Sequence, residues 1–65
     1  MKLEDKHAKL LALSVLYENK DRRNNLSQIQ RIACRPDDVA ILLSEICDNN
    51  FKEWVQSVSH LFRKH

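Results

Sequence analysis

Cys47, His60 and His65 stand in a C-x12-H-x4-H spacing, with ligand types and separations that zinc accepts in closed tetrahedral sites. A closed site needs another nearby thiol, yet Cys34 lies thirteen positions upstream of Cys47. On one helix, His60 and His65 would also point ~140° apart. Either cysteine beside a histidine would supply a nucleophile and its base. However, 65 residues without a glycine leave little room for a substrate pocket of several hundred Å3. Asp37 and Asp38 could pair as acid and base, but behind Pro36 they are also the carboxylates that a helix favours in its first turn. We therefore expect no metal, no cofactor and no enzymatic activity.

The elements that must position these residues are helical. Glycine is absent and proline occurs once, whereas hairpins draw on Gly in their turns. Apolar residues make up 43% and charged residues 31%, a globular rather than a disordered balance. No stretch approaches the ~20 apolar residues of a membrane span. Charges from Lys2 through Lys9 are unlike a secretory leader. Two cysteines are too few for a disulfide framework, so buried free thiols in the cytoplasm are expected. No repeat or linker divides the chain, which reads as one domain.

Four amphipathic segments cover it. In residues 3–18, Leu3, His7, Leu10, Leu11, Ser14 and Tyr17 share a broad inner face, with Ala12 and Leu16 on the opposite side. The polar run KDRRNN closes this helix. Asn25 and Gln28 read as a capping box for a second helix, with Leu26, Ile29, Ile32 and Ala33 inside and an end near Cys34. Arg35 at the cap and Pro36 at the first helical position open the third, whose inner stripe is Val39, Leu42, Leu43 and Ile46. The fourth opens at Asn50 and Glu53, another capping-box pair. It carries the strongest stripe: Phe51, Trp54, Val55, Val58, Leu61 and Phe62. With three of the four aromatics, it should anchor the core.

Residues 26–48, LSQIQRIACRPDDVAILLSEICD, resemble the helix-turn-helix core of small DNA-binding regulators. The matching features are the inner Ile29, Ile32 and Ala33, a three- or four-residue corner, and Val39, Leu42 and Leu43 beyond it. Residues 49–65 read as helix without a wing hairpin, so the likeness is to wingless members. With the four segments above, the expected fold is an all-α, compact four-helix domain: a helix-turn-helix-like tri-helical core followed by the C-terminal amphipathic helix. The resemblance implies that residues 36–48 form the recognition helix. The outward face would hold Asp37, Ile41, Ser44, Glu45 and Asp48, with Asp38 at its border.

Charge argues against base reading by that helix. Residues 36–48 carry four carboxylates and no basic residue, −4, while the rest carries eleven positive and five negative side chains, +6. DNA affinity comes largely from Lys and Arg on phosphates. The favoured expectation is a small regulatory interaction protein. Its acidic outer face (Asp37, Asp38, Ile41, Glu45, Asp48) would bind a basic protein partner, with Leu13 and Leu16 extending the surface. The alternative is a DNA-binding regulator that contacts phosphates through Lys20, Arg22, Arg23, Arg31 and Arg35. The two-sided apolar pattern of the first helix further suggests a homodimer.

Overall fold

The first helix, α1 (Leu3–Glu18), presents an unexpected stripe to the core. Leu13 is fully buried, flanked by the half-buried Leu10, Leu16 and Tyr17, while Leu3, His7 and Leu11 face solvent. The expected wheel was therefore turned by roughly a quarter: Leu13 and Leu16 belong to the core rather than to an outer surface. Composition alone could not orient it, because leucines occur on both sides. The computed structural model describes residues 2–21 and 25–63.

Asn25 leads into α2 (Leu26–Ile29), but its side chain does not cap that helix. It is buried, and Nδ2 donates to the Leu16 carbonyl at 3.1 Å, a second bond to an acceptor at the end of α1 that also takes the Asn19 N–H at 3.3 Å. Gln28 instead accepts from the Ser27 hydroxyl at 3.0 Å. The helix ends at Ile29, short of the expected boundary near Cys34. Residues 30–35 turn and then extend, making a six-residue link where a shorter corner was expected. Alternating residues of that link point inward, so Ile32 and Cys34 are buried.

The α3 helix (Pro36–Glu45) begins as its sequence dictates, with Arg35 extended at the cap and Pro36 first in the helix. Asp38 accepts from the Arg35 backbone N–H at 3.3 Å. It ends at Glu45, before the expected Asp48, because Ile46 and Asp48 adopt extended backbone. Ile46 still reaches the core.

The α4 helix (Asn49–Val58) is capped by Asp48, not by the Asn50–Glu53 pair. Asp48 Oδ1 accepts from the N–H groups of Asn50 at 2.8 Å and Phe51 at 3.2 Å. A 3₁₀ turn, Ser59–Leu61, follows and delivers Phe62 into the core. Among the described residues four α-helices thus surround one cluster of Leu13, Ile29, Ile32, Cys34, Leu42, Ile46, Val55 and Phe62. The radius of gyration is 10.9 Å, against the ~10.7 Å that globular scaling gives for this length. The all-α four-helix architecture expected from composition and helical spacing is what the chain adopts.

Candidate functional site

The outer row of α3 is Asp37, Ile41 and Glu45, one helical turn apart, with Ser44 beside it; all four are exposed. Ile41 is 38% exposed. Ser44 turns its hydroxyl back to the Ile41 carbonyl at 2.7 Å, so it offers little donor capacity outward. Asp38 sits half-buried at the border, committed to the Arg35 backbone. Glu45 pairs with Lys6 of α1 at 3.1 Å. Glu45 is exposed and Lys6 half-buried, so solvent still screens the pair, which contributes about 1 kcal/mol at most. It leaves Asp37 as the row's carboxylate without a hydrogen bond or ion pair among the described residues.

Asp48 is exposed but lies beyond the end of α3. As the cap of α4 it borders a recess of about 230 Å3 lined by Ser14, Tyr17, Glu18, Asp48 and Phe51. Tyr17 lies 5.2 Å from Phe51 and 5.4 Å from Trp54 between ring centroids. Phe51 and Trp54 stack at 6.3 Å and 19°. The Lys20 ammonium stands 5.2 Å from the Tyr17 ring centre, within reach of its electron-rich face. The recess thus combines aromatic faces with the carboxylates of Glu18 and Asp48.

This recess escaped the sequence reading. The signals were present: Tyr17 on the inner side of α1, and Phe51 and Trp54 on one stripe of α4. Their meeting depends on how α1 and α4 pack, which spacing within either helix does not specify.

The described basic candidates stand on different segments. Lys20 pairs with Asp21 at 3.1 Å as well as touching Tyr17. Arg31 and Arg35 are exposed on the link before α3. Arg22 and Arg23 lie outside the described residues.

The two thiols differ. Cys34 is buried while Cys47 is exposed, so the expectation of two buried thiols is corrected at Cys47. It follows Ile46 in extended backbone, which turns its neighbour inward and leaves Cys47 outside. Burial, reinforced by the Asp38 carboxylate and opposed by Lys9, pushes the Cys34 thiol up from its ordinary value. That favours the neutral form, the reverse of what activates a nucleophile. Cys34 and His60 do line one recess of about 270 Å3 with Pro36, Val39, Ser59 and Phe62.

His7, expected at the core's edge, is exposed. Among the described residues, no three His, Cys, Asp or Glu side chains are grouped as metal ligands. His65 of the C-x12-H-x4-H pattern lies outside them. No helix among the described residues is long and apolar enough to cross a membrane. No protein-family profile, curated protein or solved structure matches this chain.

Proposed function

We propose that this chain is a non-enzymatic interaction module that binds a basic segment of a partner protein. The observation that carries this reading is the recess in which Tyr17 and Phe51 stand beside the carboxylates of Glu18 and Asp48. Aromatic faces attract cations by their quadrupole, and a carboxylate at the rim accepts the hydrogen bonds of an ammonium or guanidinium. Lys20 over Tyr17 provides a cation–ring contact at the same ring within the chain itself. A partner's Arg or Lys would enter this recess while the row of Asp37, Ile41 and Glu45 receives neighbouring positive and apolar side chains. Ile41 would be the apolar anchor and the carboxylates its charged rim.

The acidic row also weighs against the alternative reading, in which α3 reads DNA bases. Like charge would meet phosphate along the whole outer row. A phosphate role for Arg31 and Arg35 survives that objection, because both stand on the link and not on α3 itself.

The test is a titration of the protein into a fluorescent Arg/Lys-rich peptide and, separately, a mixed-sequence DNA duplex, at low and physiological salt. The module reading expects saturable peptide binding that weakens as salt rises, is lost in the Asp37→Lys/Glu45→Lys variant, and is accompanied by a change in Trp54 emission. Tight duplex binding with no peptide binding would overturn it and move the functional surface to Arg31 and Arg35.

A further inference from the structure

Among the described residues nothing covers the outer side of α1, although it is apolar. Leu11 is 68% and Val15 51% exposed, and Ala8 and Ala12 are exposed with them. These four recur at i, i+3, i+4 and i+7, a second apolar stripe opposite the one that buries Leu13. Along one edge of it, between α1 and α2, runs a groove of about 440 Å3 lined by Ala12, Val15, Leu16, Gln28, Arg31 and Ile32. Its walls are almost wholly apolar, with Arg31 the charged group among them.

The two edges of this face are complementary to each other. On the helical wheel Leu11 and Glu18 share one edge, seven positions apart. Ala12 and Leu16 share the other, beside the groove and Arg31, and Val15 runs between them. A two-fold axis parallel to α1 exchanges the edges. It would set each copy's projecting Leu11 against the other's groove, and each copy's Glu18 near the other's Arg31. A protruding side chain beside a hollow, and an acid opposite a base, are what a self-complementary interface requires.

We infer that this face is the contact between two copies of the chain, with Leu11 seated in the second copy's α1–α2 groove and Glu18 paired across the axis with its Arg31. The interface is one helix wide, in the small class below ~1,200 Å2 in total. A dimer of this kind should be weak and reversible, with Kd on the order of 10–100 µM. Glu18 also borders the peptide recess, but the readout here is mass and not peptide binding, so either reading can fail without the other.

Sedimentation equilibrium over a wide concentration range tests it. The wild type should show a monomer–dimer equilibrium, and Leu11→Glu should remain monomeric with an unchanged helical circular dichroism spectrum. The charge cycle gives a second measure that leaves every apolar contact in place. Glu18→Arg and Arg31→Glu should each weaken association several-fold, and the double variant should recover much of it. Glu18 lies on one edge of the α1 face and Arg31, on the link after α2, beside the other, so recovery would report a contact between copies. A wild-type chain that stays monomeric at ~500 µM, about five- to fifty-fold above the expected Kd, would overturn the inference. So would a dimer indifferent to Leu11→Glu, or a charge cycle whose effects simply add.

Discussion

The backbone of Arg63 clasps that of Ile32: the Arg63 N–H donates to the Ile32 carbonyl at 2.8 Å, and the Cys34 N–H donates to the Arg63 carbonyl at 2.9 Å. Together they form a parallel bridge centred on Ala33 and Arg63. It ties the chain beyond α4 to the extended link before α3, two segments thirty positions apart in sequence. Phe62, the neighbour of Arg63, is held inside at 4% exposure. The tail of the fold is therefore structural, closing the core from below the link.

That closure predicts a large effect at one position. Removing a buried Phe side chain typically costs ~3–5 kcal/mol, and a chain of this size has only ~3–10 kcal/mol of total stability. Phe62→Ala should leave the protein largely unfolded near physiological temperature. A chain truncated after Leu61 should do the same. Thermal denaturation followed by circular dichroism would show it, and a wild-type midpoint in either variant would refute the closing role.

Two leucines of α1, two positions apart, should behave oppositely. Leu13→Ala empties a fully buried site and should cost ~2–5 kcal/mol. Leu11→Ala trims an exposed side chain and should change monomer stability by less than ~0.5 kcal/mol. Urea denaturation at micromolar protein, below the expected dimer Kd, measures both. Equal losses would mean that α1 is rotated from the orientation described.

How far the fold could be read from the sequence depended on how one-sided each helix is. The stripe of α4 was unambiguous, because Phe51, Trp54, Val55 and Val58 face a polar opposite side. All four fall in or against the core. Pro36 likewise marked the start of α3 with little competition. In α1, leucines on both sides gave two usable faces, and only packing chose Leu13 over Leu11. The caps divided in the same way. Asn25 and Asn50 fit capping boxes by spacing, yet the Asn25 carboxamide donates to the Leu16 carbonyl instead of capping, and Asp48 took the other cap two residues earlier. The acidic row of α3 was legible from periodicity. The Lys6–Glu45 pair and the Tyr17–Phe51 recess were not, since both join residues more than thirty positions apart.

Asp48 is asked to do two things, and two substitutions separate them. Asn is as good an N-cap as Asp, whereas Ala removes the acceptor and typically costs ~1 kcal/mol. Asp48→Asn should keep the stability of α4 while weakening the basic peptide by removing one carboxylate from the recess. Asp48→Ala should lose both. Chemical denaturation beside peptide titration reads the two effects. An Asn variant that binds the peptide as the wild type does would take Asp48 out of the proposed site.

Cys34 should make stability fall with alkaline pH. Its thiol is pushed up mainly by burial and then by the Asp38 carboxylate, so the folded chain holds a proton that the unfolded chain gives up more readily. Below the unfolded thiol's pKa, ~8.5, both states are protonated and this contribution is fully present. Above it the unfolded state ionises first, and stability declines until the folded thiol also ionises. Lysine and tyrosine titrations overlap this range, so the measurement is a difference: denaturation midpoints of wild type and Cys34→Ala from pH 7 to 10. The wild type should lose ground against the variant as pH rises through that interval. Thiol labelling in the same range should modify exposed Cys47 first, with Cys34 slower by ~10-fold for each 1.4 kcal/mol of local opening free energy. A constant stability difference together with equal labelling rates would mean that Cys34 is not enclosed between the link and the closing segment at Phe62 and Arg63.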